Sequence, residues 1–278
     1  MSGSPTKPLD IQVINCSVGS MAANVALLKG EHSSLLVDAP FTRADAYRVV
    51  AEILDGGKPL ETVLVTHDHP DHFFGLDVIV EEFRDAKIVA EAQVCKDIAR
   101  SVPIKFNRWG PMLGLNAPRY GVFPKPLEHD HLMFEGHRIE IRGPVQGDHA
   151  RCTYVWIPES RTIIANDIVY NGVYLFLGEH LEPEYERWLK ALDELEALKP
   201  ATVIAGHRRP DLPNDDDGIA FTRRYIHAFA KAAKECKTSA ELGARMHAEF
   251  PDAIDVAGGF LVGVSSQVAT REIPPWDE

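Results

Sequence analysis

The chain has 278 residues, 45% hydrophobic and 25% charged, enough for one large or two small domains with a substantial core. Its formal net charge of −12 excludes a phosphate-tracking nucleic-acid surface, since Arg208-Arg209 and Arg223-Arg224 are no more than pairs. No run of about eighteen apolar residues occurs, so no membrane association through a spanning helix is expected. Residues 1–8 are polar, without the apolar stretch of a secretory leader, and Cys16, Cys95, Cys152 and Cys236 form no paired motif. The cysteines read as free thiols, and the cytoplasm is the expected location.

The hydrophobic pattern alternates strands and helices. Residues 11–16, 24–29 and 34–37 read as opening strands, with turns at Gly19-Ser20 and Gly30-Glu31. A helix is expected over 42–54, capped by Thr42 and closed by Gly56-Gly57. The strand 62–65 runs into a histidine-rich loop, followed by a helix over 74–83, a strand over 87–90 and a helix over 91–101. Residues 103–126 carry five prolines, three glycines and several aromatic groups, and so read as an irregular segment rather than a helix or central strand. Those aromatic groups suit either a cap over a pocket or packing at a sheet edge. Further strands are expected over 138–142, 153–157 and 162–165, with a turn at Pro158-Glu159-Ser160, then a helix over 183–198 and a strand over 202–205. Residues 218–250 read as two helices, and Asp215-Asp216-Asp217 ahead of them suits a helix N-terminus. With no linker, repeat or low-complexity tract, 1–278 is read as a single domain.

The chemistry concentrates in Thr66-His67-Asp68-His69-Pro70-Asp71-His72, launched from the apolar Val63-Leu64-Val65. Three imidazoles and a carboxylate at this spacing are the nitrogen and oxygen ligands that zinc and similar divalent ions take when thiolates are absent. Three later segments place polar ligand types at strand ends or in short loops: Gly147-Asp148-His149, Ala165-Asn166-Asp167 and Ala205-Gly206-His207. His129, His131 and His137 lie in a charged stretch and read as a solvated strand face. His32, His180, His227 and His247 are isolated and read as structural.

In these motifs and their order, from about Asn24 to His207, the chain resembles the metallo-β-lactamase superfamily. The resemblance implies a four-layer αββα sandwich with two divalent ions at its rim, zinc first, with iron or manganese as alternatives. It implies that His67, His69 and a later histidine hold one ion, that Asp71, His72 and His207 hold the other, and that Asp167 bridges them. The family's Gly-Asp is Asn166-Asp167 here, which keeps the carboxylate. For the later histidine, His149 has the right spacing from Thr153 and Asp167, while a shifted register places Gln146 there. Imidazole is the better zinc ligand, which favours His149.

Two cations about 3.5–4 Å apart share a water and lower its pKa, so a metal-bridging hydroxide can attack a carbonyl. Asp71 is placed to carry a proton to the leaving group, and Asp68 to orient an imidazole. Tyr170 and Tyr174, in the loop after Asp167, are candidate donors to a substrate carbonyl or oxyanion. An apolar, aromatic pocket favours a small lactone, lactam or related ester or amide over an anionic nucleotide. A thioesterase of the glyoxalase type, a di-iron redox protein and a non-catalytic metal-binding module are the alternatives. The expected partner is a small molecule with a hydrolysable carbonyl. The oligomeric state is open, a homodimer included.

Overall fold

A computed structural model describes residues 8–276. The expectation drawn from the polar start of the chain falls on residues 1–7, outside the described residues. Eleven strands and seven α-helices are present among the described residues. The chain clusters into two compact units, the first running to Arg142 with Thr153–Thr162, the second comprising Gly143–Cys152 and the residues from Ile163 onward.

In the first unit, β1 (Asp10–Asn15), β2 (Asn24–Lys29), β3 (Ser34–Val37), β4 (Leu60–Val65), β5 (Lys87–Ala90) and β6 (Lys125–Pro126) form a six-stranded sheet in that order. β1–β2 and β2–β3 pair antiparallel through short turns; β3–β4, β4–β5 and β5–β6 pair parallel. Parallel neighbours need a crossover, and α1 (Arg43–Asp55) and α2 (Leu76–Glu82) supply the first two. β2, β3 and β4 are apolar almost residue for residue and buried, as strands covered on both faces are. Thr42 caps α1 as expected, accepting from the Asp45 backbone N–H at 3.2 Å.

The expectation of an irregular segment over 103–126 is corrected in its first half. α3 runs unbroken from Ala92 to Leu113, with Pro103 and Pro111 inside it. An interior proline costs roughly 3 kcal/mol. Val94, Ile98, Val102, Lys105 and Trp109 recur along one buried face, and that burial outweighs the cost. Trp109 meets Phe41 edge-on at 5.4 Å, and Phe106 meets Phe74 at 5.1 Å.

The other five strands form a second sheet in the order β11-β10-β9-β8-β7, comprising β7 (His131–Phe134), β8 (His137–Val145), β9 (Cys152–Ile157), β10 (Thr162–Asn171) and β11 (Thr202–Arg208). β7 lies in the stretch that the sequence suggests only as a solvated strand face, without bounds. It pairs antiparallel with β8 through Glu135-Gly136, both at positive φ, the conformation of a tight hairpin turn. His137, expected on a solvated face, is buried and paired with Glu159, because it starts the strand on its core side. His129 is exposed and stacks on His131.

The second unit carries α4 (Glu182–Ala197), α5 (Asp217–Glu235), α6 (Ser239–Glu249) and α7 (Phe260–Ala269). α4 buries Tyr185, Trp188, Leu192 and Leu195, and the Trp188 indole donates to the Ile168 carbonyl of β10 at 2.8 Å. β10 and β11 continue past the expected ends at Ala165 and Ala205, so Asp167 and His207 sit within strands rather than after them. Among the described residues no helix is long and apolar enough to cross a membrane.

Candidate metal centre

β3 and β4 end side by side, and their ends hold the histidine loop. Asp38 follows β3 in the left-handed region, φ 65°. Its carboxylate accepts from the Thr66 backbone N–H at 2.8 Å and the Thr66 hydroxyl at 2.9 Å, and lies 3.2 Å from His72 Nδ1. A carboxylate on one ring nitrogen fixes the tautomer and leaves Nε2 as the donor to a metal. His67 Nδ1 lies 3.3 Å from the Thr66 hydroxyl. The rings of His67 and His69 are 4.8 Å apart and those of His67 and His72 are 4.6 Å apart, all three buried. Asp71, also buried, lies 3.7 Å from His72 Nε2.

Asp68 accepts at 3.0 Å from Lys105 Nζ, which also donates to the Asp68 backbone carbonyl; both residues are 1% exposed. Asp38 and Lys105 were missed in the sequence. Asp38 had a signal, as the first polar residue after an apolar strand. Lys105 had one too, as a single charge in a helical apolar stripe, hidden by the prolines around it.

In the second unit Asp167 and His207 lie on neighbouring strands, with His207 Nε2 3.3 Å from Asp167 Oδ2. A side chain at Gly206 would collide with the Asp167 carboxylate and approach the Asn166 carbonyl carbon to 2.6 Å, so only glycine lets β11 come this close. Asn166 has φ 51°, a conformation asparagine tolerates, and its Oδ1 accepts from the Asp167 N–H at 2.6 Å. Asp148 and Asp167 present oxygens within 4.8 Å of each other. Tyr170 donates its hydroxyl to Asp148 at 2.6 Å and stacks on His207 at 4.8 Å. His149 Nδ1 lies 2.8 Å from the Glu179 carboxylate. The Gln146 amide donates to the Gly147 carbonyl at 3.1 Å. His180, expected to be structural, is buried 3.0 Å from that same carbonyl, and burial pushes its imidazole below the ordinary histidine range. The Tyr174 hydroxyl donates to the Phe250 carbonyl at 2.9 Å and lies 3.0 Å from His247 Nδ1.

A family model described as the metallo-beta-lactamase superfamily matches residues 18–207, well over half of the chain. The chain belongs to that superfamily.

The fold of this superfamily member, two sheets with seven helices, is that of metallo-β-lactamases. It is similar to a metallo-beta-lactamase from Pontibacter korlensis at 15% identity and TM-score 0.58, over 74% of this chain and 87% of that one. Metallo-beta-lactamase IND-7 is 18% identical with TM-score 0.57, over 74% of this chain and 86% of its own. TMB-1 is 15% identical with TM-score 0.55, over 81% and 98%. No curated protein matches the sequence.

The donors fit the family's metal ions. Each unit gathers buried imidazoles and carboxylates, and buried carboxylates in pairs call for a cation. Burial, with Asp45 and Asp71 nearby, pushes the Cys16 thiol far above its ordinary value and keeps it protonated. All four cysteines are free, as expected.

Proposed function

We propose that the chain is a hydrolase using two divalent ions, zinc first and iron or manganese as alternatives, on small lactones, lactams or related esters and amides. Its ligands on this reading are His67, His69, Asp71, His72, Asp167 and His207, completed by the Gly147-Asp148-His149 turn. The observation that supports it most is the fixed, buried donor set around the histidine loop, where Asp38 sets the His72 tautomer at 3.2 Å. The ions would supply Lewis acidity and an acidified water.

The chain's own groups then divide the remaining work. Asp71 holds a carboxylate that can take a proton and return it to the leaving group. Asp68, neutralised by Lys105, keeps the loop between His67 and His69 in one conformation. Tyr170 is tied to Asp148 and braces His207 by stacking. An uncharged substrate is supported by the segment after Lys105. Phe106 anchors it on Phe74, next to the histidine loop, while Met112, Leu115 and Phe123 stay exposed.

Elemental analysis of the purified protein and a panel of lactones, lactams, esters and thioesters test this reading. About two ions per chain with turnover of lactones or lactams is the expected result. Well under one ion per chain after gentle purification overturns the metal reading, and turnover confined to thioesters overturns the substrate class.

A further inference from the structure

The Gly147-Asp148-His149 turn offers two candidate donors, and their surroundings differ. The His149 ring is held through Nδ1 by Glu179 at 2.8 Å. Asp148 is locked to Asp167 itself: its backbone N–H donates to the Asp167 carbonyl at 3.1 Å. Gly147 permits that approach, because a side chain there would lie 2.8 Å from the same carbonyl oxygen. The carboxylates of Asp148 and Asp167 are each 1% exposed and present oxygens within 4.8 Å of each other. Tyr170 stabilises part of this charge, donating a hydrogen bond to Asp148 Oδ2 at 2.6 Å. The remaining repulsion between two buried anions is relieved by a cation held between them. His207, 3.3 Å from Asp167, adds a nitrogen donor to the same cluster.

We infer that Asp148 contributes a carboxylate oxygen to a metal ion it shares with Asp167, with His149, anchored by Glu179, as the neighbouring orienting group. This rests on the two-metal reading above. It also sets a preference: an oxygen donor where the family resemblance implies an imidazole shifts the position from zinc toward manganese or iron(II).

The test uses the full chain, stripped of metal and titrated calorimetrically with Mn2+ and Zn2+, as wild type and as D148N, D148H, H149A and Y170F. Thermal unfolding of the metal-free proteins reports folding separately. D148N should weaken one of about two sites by about 100-fold or more, while its metal-free form melts at or above the wild-type temperature because a charge repulsion is gone. D148H should restore that site and raise its preference for Zn2+ over Mn2+. Y170F removes the hydrogen bond yet keeps the carboxylate, and should retain both sites. Full binding by D148N together with loss of a site in H149A overturns the assignment of Asp148. Loss of a site in Y170F equal to that in D148N also overturns it, since the effect would then be structural. Wild type taking up no metal overturns the two-metal reading instead, so the two failures are distinguishable.

Discussion

Lys105 and Asp68 form a buried ion pair in which one ammonium satisfies both the carboxylate and the backbone carbonyl of the same residue. The contact joins the middle of α3 to the histidine loop, 37 positions earlier in the chain. Lys105 also lies over the Phe73 ring, 5.8 Å from its centroid. The helix and the loop therefore hold each other in place through charge as well as packing.

Replacing Lys105 by methionine should destabilise the protein by about 3–5 kcal/mol, because it leaves the Asp68 carboxylate buried without its cation. Adding D68N should recover part of that loss. Urea unfolding of the two single variants and the double variant measures the coupling. Additive effects would show that the pair does not act as a unit.

His67→Ala and His69→Ala should each cost about one of the two ions and remove turnover while leaving most of the fold intact. Leu64→Ala, at a fully buried position of β4, should cost about 2–5 kcal/mol of stability. Full activity and normal metal content in H67A would contradict the metal mechanism.

Gly206→Ala should lose metal and also destabilise by about 1–3 kcal/mol, since the new methyl meets strand backbone as well as the Asp167 carboxylate. Gly57→Ala is the contrast. Its φ is 65° with open space around it, so only the left-handed penalty of about 1 kcal/mol applies and metal content should not change. Metal analysis and thermal melts on both variants separate the two effects.

Glu135 provides a pH dependence. Desolvation opposes its ionisation, but hydrogen bonds from the backbone N–H groups of His32, Glu31 and Ser33 and from the Ser33 hydroxyl prevail, holding the carboxyl at about 2 against an ordinary 4.5. A folded value below the unfolded one means that the stabilisation is complete above pH 4.5 and fades as the pH falls toward 2. Wild type should therefore exceed E135Q in urea stability at pH 7, by a modest margin because the group is solvent-screened, and converge with it near pH 2. A gap that stays constant over that range would exclude the carboxylate as its source.

The strands nearest the histidine loop were legible because they are continuous apolar runs bounded by turn residues, and α1 because Thr42 caps an amphipathic repeat. α3 was cut short at Ser101 because proline propensity is local, whereas the burial of Val102, Lys105 and Trp109 that overrides it is tertiary. The hairpin at Glu135-Gly136 was hidden because neither residue is the usual asparagine or aspartate of such a turn. α7 follows Gly258-Gly259 and was not anticipated, since its buried run Leu261, Val262, Val264 and Val268 leaves little polar face to show a helical period. In the candidate site, the loop's candidate ligands were visible as a motif. The roles of Gly147 and Gly206 depend on which strands adjoin, and no local pattern encodes that.

Asp38 has one more consequence. The same carboxylate receives the first amide beyond β4 and fixes the His72 ring, so the end of the sheet and the alignment of the site share one anchor. The loop's rigidity is borrowed from the two central strands of the sheet rather than built by the loop. Opening of the histidine loop should therefore be rare on the hydrogen-exchange timescale, with the Thr66 amide exchanging as slowly as those of β4, so that thermal inactivation follows global unfolding instead of preceding it.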